Sequence, residues 1–174
     1  MIRLKFNLLF ILASGIFFSM PLFASSEKHL PYKYAVKSLT NKIYLSPSSI
    51  GQKSFTVVQF WASWCTSCSE TMKRLATWSA KEAKTNIAFV SVDENIEDTK
   101  SYFNGKNRAL KPLMKNVYVD TDGKFSDAVK IAGVPYILLV DRSGNILFRI
   151  YGHPTELDLE KMQNICASVK GSAA

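Results

Sequence analysis

Val57-Val58-Gln59-Phe60-Trp61-Ala62-Ser63-Trp64-Cys65-Thr66-Ser67-Cys68-Ser69-Glu70 is the stretch on which the reading of this chain turns. Val57 to Trp61 is a short apolar run that reads as a buried strand, and Met72 to Ala83 has the spacing of an amphipathic helix. Cys65 and Cys68 therefore fall at a strand-to-helix junction. The first turn of a helix has unpaired N–H groups and the positive end of the macrodipole, and both favour a thiolate over a thiol. Cys-X-X-Cys pairs so placed have thiol pKa values lowered to roughly 3.5 to 7.5, and the thiolate is the form that attacks disulfides. Cys68, one helical turn later, is ready to resolve a mixed disulfide.

Three other uses of the pair compete with this one. A structural zinc site wants four ligands, and the chain offers one more cysteine, Cys166, and two scattered histidines. A purely structural disulfide between residues three apart constrains little of the unfolded chain. A copper site would take Cys65 and Cys68 as soft ligands with His153 as the third.

Phe60 to Cys68, followed downstream by Gly133-Val134-Pro135 and an apolar strand ending in Asp141-Arg142-Ser143-Gly144, resembles the thioredoxin superfamily. More narrowly it resembles the TlpA-like (ResA-like) thiol-disulfide oxidoreductases of bacterial envelopes. The resemblance implies an α/β, thioredoxin-like fold: a central mixed sheet flanked by helices, with an N-terminal β-hairpin extension. It implies Cys65 as nucleophile and Cys68 as resolving cysteine, with the disulfide itself as the redox group and no cofactor. It also implies a cis Val134-Pro135 bond beside the disulfide, with the Val134 main chain pairing with substrate. Trp64 is expected at the substrate surface, and Trp61 in the core beside the sulfurs.

The pattern is not followed everywhere. Thioredoxins carry an aspartate where this chain has Gln59, and an amide cannot act as a base. TlpA-like members often have an amide there too. Many also carry a glutamate where Thr71 stands, and Glu70, about 100 degrees round the helix, does not replace it.

The first residues read as an address. Arg3 and Lys5 form a positive start, Phe6 to Phe18 is apolar, and Pro21 precedes Ala24-Ser25-Ser26, so residues 1–24 are expected to be an export signal, with an uncleaved anchor as the alternative. Residues 25–174 are then long enough for a single domain with a sizeable core. The formal charge of +8 includes Arg3 and Lys5, leaving +6 on that domain. Its lysines are dispersed, with no arginine-rich helix, which argues against nucleic-acid binding.

Tyr34 to Ser38 and Leu39 to Leu45 read as the strands of an edge hairpin, and Ser46 to Gly51 as a loop. Cys68, Met72, Leu75, Ala76, Ser79 and Ala83 mark the face of the first helix, and Ile87 to Val92 is a second buried strand. Asn95 caps a helix faced by Ile96, Lys100 and Phe103. Gly105 to Pro112 reads as a basic, solvated loop, Val117 to Val119 as a short strand and Phe125 to Ile131 as a short helix. Ile146 to Tyr151 returns antiparallel, and Thr155 with Asp158 opens a last helix whose face is Leu159, Met162, Cys166 and Val169. Cys166 is expected to pack as a small hydrophobe.

The function these readings point to is exchange of thiols and disulfides in the periplasm. Clients would carry disulfides or thiols, of the kind met in cytochrome c maturation or copper-site assembly. A reductase there needs electrons from a membrane donor, because the compartment is oxidising. The alternatives are a copper carrier and a net disulfide oxidant.

Overall fold

The computed structural model describes residues 28–49, 53–105 and 107–168. The elements follow in the order β1 (Lys37–Ser38), β2 (Phe55–Trp61), α1 (Cys68–Lys81), β3 (Thr85–Ser91), α2 (Ile96–Asn104), a 3-10 segment (Arg108–Asn116), β4 (Val117–Val119), α3 (Lys124–Val129), β5 (Tyr136–Asp141), β6 (Ile146–Tyr151) and α4 (Glu156–Ser168). They build one mixed sheet of six strands in the order β1-β4-β3-β2-β5-β6. β2 pairs in parallel with β3 and antiparallel with β5, so Gln59 stands between Phe89 and Ile137 at the centre.

Both faces of the sheet are covered, which is why its central strands read as near-continuous apolar runs. Along β2, Val58 and Phe60 pack with Phe125 and Val129 of α3 and with Leu30, Val36 and Leu45 from the N-terminal segment. Phe55, Val57 and Trp61 point the other way. They meet Leu75 of α1 and Met162 of α4, or Met72 and Phe103 of α1 and α2. The strand is buried along its whole length, and that fixes where its last residue delivers the chain.

The structure modifies the sequence reading in four places. The N-terminal hairpin is small: Lys37 bridges Tyr44, Leu45 N–H donates to Val36 C=O at 2.8 Å, and β1 itself joins the sheet edge beside β4. The first helix starts at Cys68 rather than Met72 and ends at Lys81, leaving Ala83 exposed beyond it. The face of α2 is centred on buried Thr99 and Phe103, with Ile96 and Lys100 at its margin. The expected basic loop is in its second half a 3-10 helix containing Pro112. Leu110 and Leu113 explain it: a three-residue spacing matches the 3-10 period and lets both side chains reach the cluster around Trp61 and Phe103. The expected export segment and its boundary at residue 24, Ile50 and Gly51 of the early loop, and Val169 lie outside the described residues.

Candidate active site

β2 ends at Trp61, whose C=O accepts from Val92 N–H at 2.9 Å, and the chain then leaves the sheet through Ala62-Ser63-Trp64. Asp93, one residue past Val92 and 3% exposed, holds this exit. Its carboxylate accepts from the Ser63 N–H and the Ser63 hydroxyl, both at 2.9 Å, from Ser91 at 2.8 Å and from Thr99 at 2.9 Å. A carboxylate taken from water is tolerable when donors surround it in this way. In the sequence Asp93 reads only as the residue that follows an apolar run.

From this anchored loop the chain turns twice, with Cys65 N–H donating to Ala62 C=O at 3.1 Å and Cys68 N–H to Cys65 C=O at 3.3 Å. Cys65 and Cys68 form a disulfide. Cys65 retains 7% of its surface and Cys68 none, so Cys65 is the sulfur that a partner can reach. No side chain caps the start of α1. Beyond the Cys68 N–H, which Cys65 C=O takes, the N–H groups of Ser69 and Glu70 form no hydrogen bond among the described residues and are left to stabilise negative charge at the sulfurs when the disulfide is opened. The Ser67 hydroxyl stands 3.8 Å from Cys65 Sγ, a further polar group at that sulfur.

The expected neighbours are in place. The Val134-Pro135 peptide bond is cis, and Val134 packs on the cluster that contains both cysteines. Among the described residues the Val134 N–H and C=O form no hydrogen bond, while Gly152 N–H donates to Pro135 C=O at 2.9 Å. A cavity of about 200 Å³ opens there, lined by Gly133, Val134, Pro135, Tyr136, Tyr151 and Gly152. Burial, with the nearby Tyr151 hydroxyl, pushes the Tyr136 phenol up against the opposing effect of Arg149, which donates to it at 2.9 Å. Trp64 is 69% exposed beside Cys65, and Tyr151 is exposed too. Trp61 is fully buried against Tyr102 and Phe103.

Beneath the sulfurs Gln59 is fully buried, its Nε2 donating to Cys68 C=O at 3.4 Å and its Oε1 without a partner. It ties β2 to the first residue of α1 and supplies no base.

Together these features amount to a strand, an anchored exit, a disulfide at an uncapped helix start and a cis-proline edge against it. A family model described as Thioredoxin-like matches residues 53–146. The chain belongs to the thioredoxin-like family. No curated protein matches it in sequence. Among solved structures it is similar to a protein assigned as thiol:disulfide interchange protein DsbE from Chlorobium tepidum, at 24% identity and TM-score 0.62 over 84% of this chain and 99% of that one. It is also similar to a thiol-disulfide oxidoreductase from Bacteroides fragilis NCTC 9343, at 21% identity and TM-score 0.64 over 79% and 99%. A third is a secreted Mycobacterium tuberculosis disulfide oxidoreductase homologous to E. coli DsbE, at 14% identity and TM-score 0.56 over 79% and 96%. With its Cys65–Cys68 pair, this thioredoxin-like chain is a thiol-disulfide oxidoreductase.

The copper set does not assemble. Among the described residues no three His, Cys, Asp or Glu side chains gather where they could hold a metal, and His153 Nδ1 lies 2.9 Å from Thr71 Oγ1 instead. Thr71 is itself fully buried, a position that the sequence marked only as a departure from its relatives. A second groove, of about 770 Å³ between α1 and α4, is lined by Lys73, Arg74, Glu156 and Glu160 among others. It contains neither cysteine and lies on the charged flank of the helices.

Proposed function

We propose that this thiol-disulfide oxidoreductase works in the bacterial periplasm and reduces disulfides of client proteins, of the type met in cytochrome c maturation or copper-site assembly. The Cys65 thiolate attacks a client sulfur, the client disulfide breaks, and Cys68 then attacks Cys65 to release the second client sulfur and close the pair. No cofactor takes part, because the electrons reside in the Cys65–Cys68 pair. Renewal of the dithiol calls for a membrane electron donor, since the compartment is oxidising.

One observation supports this reading most. A disulfide with a single reachable sulfur stands beside a main-chain edge, Val134, whose N–H and C=O are unused among the described residues. An extended client segment can pair with that edge and bring its own sulfur in line with Cys65. Val134 and Pro135 bind the client in this scheme, Trp64 borders it, and Trp61 and Gln59 hold the strand behind the sulfurs. The export signal read in residues 1–24 supports the location, as does the secreted DsbE homologue among the similar folds. Among the described residues no helix is long and apolar enough to cross a membrane, so any membrane attachment would be made through the N-terminal segment.

The test is a trap. Cys68→Ser leaves Cys65 unable to release its partner, and mass spectrometry of the adducts formed in periplasm names the clients. Recovery of adducts through Cys65 with cytochrome or copper-site proteins is the expected result. A chain that forms no adduct with any disulfide protein would end the proposal.

A further inference from the structure

Gln59 is fully buried beneath the disulfide, and half of its amide is unused. Phe89 on β3 and Ile137 on β5 stand beside it in register, and along its own strand Val57 and Trp61 share its face. Cys68, Met72 and Leu75 of α1 close the space above. The amide therefore lies in an apolar box whose polar wall is the first turn of α1.

The bonds fix which end of the amide faces that turn. Cys68 C=O can only accept, so Nε2 is the atom that meets it at 3.4 Å, and Oε1 is the end left without a partner. Trp61 Nε1, the other polar side-chain atom on this face of β2, is unpaired as well, so it does not serve the Gln59 oxygen. The Thr71 hydroxyl, on the same turn of α1, is given to Ser67 C=O at 3.1 Å. A buried acceptor without a donor is costly, and such a group calls for an explanation. In the oxidised chain Cys68 Sγ is bonded to Cys65 and carries no hydrogen. Reduction gives that sulfur a proton, on the residue against which the amide already lies.

We propose that Gln59 is a positioning residue whose Oε1 accepts the S–H of reduced Cys68, a hydrogen bond that exists only in the dithiol. The inference rests on exchange through the Cys65–Cys68 pair and holds for any client. A neutral oxygen accepts from a thiol and disfavours a thiolate, so Gln59 keeps the proton on Cys68 while Cys65 is the anion. The order of attack follows. Cys65 thiolate bonds to one client sulfur, the client disulfide breaks, and the electron pair leaves on the other client sulfur as a thiolate. Cys68 then attacks Cys65 and passes its proton to a client thiolate as the bond between Cys65 and the client breaks. One client thiol and one client thiolate result, and two electrons have moved from the pair to the client. Gln59 Oε1 is then again without a partner. The bond thus favours the dithiol over the disulfide and makes the pair easier to reduce.

The test is the equilibrium of the pair with glutathione, read by alkylation and mass spectrometry. Gln59→Leu keeps most of the bulk and loses the acceptor. It should shift the equilibrium about tenfold toward the disulfide, a potential about 30 mV more negative. Gln59→Glu at pH 6, where burial keeps the carboxyl protonated, retains an oxygen that can accept and should return most of the shift. A packing role alone would weaken the oxidised and reduced proteins alike in urea and leave the equilibrium where it was, and an unmoved equilibrium overturns the proposal. The wild type gives a second reading that needs no variant of Gln59. In the reduced protein the infrared S–H stretch of Cys68, identified by its loss in Cys68→Ser, should lie below that of a thiol in an apolar solvent. A band at the apolar-solvent position means that no acceptor meets the thiol, and overturns the proposal as well. A wild-type pair that does not exchange with glutathione at all would instead sink the exchange reading, and this inference with it.

Discussion

Cys65 and Cys166 are almost equally hidden, at 7% and 5% exposure, and yet one is placed for chemistry and the other is not. Exposure therefore does not separate them. Cys65 lies in the turn that leads into an uncapped helix start, with a second sulfur bonded to it and the Ser67 hydroxyl nearby. Cys166 lies in the last turn of α4, at the negative end of its helix, packed among Phe55, Leu159 and Met162. Burial pushes its thiol up and the charge of Glu82 adds to this, against a weak contact with Thr85 at 3.8 Å. Helix polarity and a neighbouring sulfur make the difference, so the two positions should separate under every reagent that needs a thiolate.

The sharpest way to break that contrast is to remove one sulfur at a time. Cys65→Ser should abolish insulin reduction, a loss on the order of a thousandfold or more, because no other sulfur at the site is reachable. Cys166→Ser should leave that rate untouched. Residual turnover in Cys65→Ser would move the chemistry to another cysteine. In the reduced protein, iodoacetamide at mildly acidic pH should modify Cys65 quickly, and Cys166 only once the chain unfolds, as read by mass spectrometry.

Next in size is the anchor. Asp93→Ala leaves the Ser63 N–H and the hydroxyls of Ser63, Ser91 and Thr99 without their acceptor. A fall in unfolding free energy of about 3 kcal/mol is expected in urea titrations, the cost of stranding several buried donors. Insulin reduction should slow as well, since the exit before Cys65 loosens. By comparison Cys166→Ser should cost about 1 kcal/mol, because a hydroxyl replaces a small apolar group but can still meet Thr85. If the two costs came out equal, the loop at the disulfide would be no more strongly held than an ordinary packing position.

What was legible in the sequence follows the same division. Val57 to Trp61, Ile87 to Val92 and Tyr136 to Val140 are apolar on both faces, and only a covered central sheet accounts for such runs, so the layers could be read directly. The sulfurs were legible because their spacing and helix start carry a chemical meaning. The cis Val134-Pro135 bond came from resemblance alone, as no local rule separates it from a trans proline opening a strand. The anchoring of Ser63 by Asp93 and the contact of Thr71 with His153 were not legible. Both are contacts across the fold, between residues far apart in the chain. The 3-10 turn through Leu110 was hidden by the lysines and arginine around it, whose charge suggests a solvated loop although the apolar spacing does not.

The smallest effect tests the helix ends against each other. α1 starts without a side-chain cap, whereas α4 starts with a closed one: Asp158 N–H donates to the Thr155 hydroxyl at 3.2 Å, and Thr155 N–H returns a bond to the Asp158 carboxylate at 2.9 Å. The Thr155 hydroxyl, and then its N–H, hold the Asp158 carboxyl below the usual aspartate range. A carboxyl depressed in the folded state contributes its full stability above the ordinary aspartate value and loses it as pH falls through the lowered one. Asp158 is only partly buried at the start of the helix, so solvent screens the interaction and the effect is modest. Asp158→Asn should cost about 0.5 kcal/mol in urea at neutral pH, and the difference from wild type should vanish in acid as the wild-type carboxyl takes up its proton. A pH-independent cost would mean that shape rather than charge closes the start of α4. The contrast with α1 would then lose its electrostatic meaning, since an anion would be no better served by one helix start than by the other.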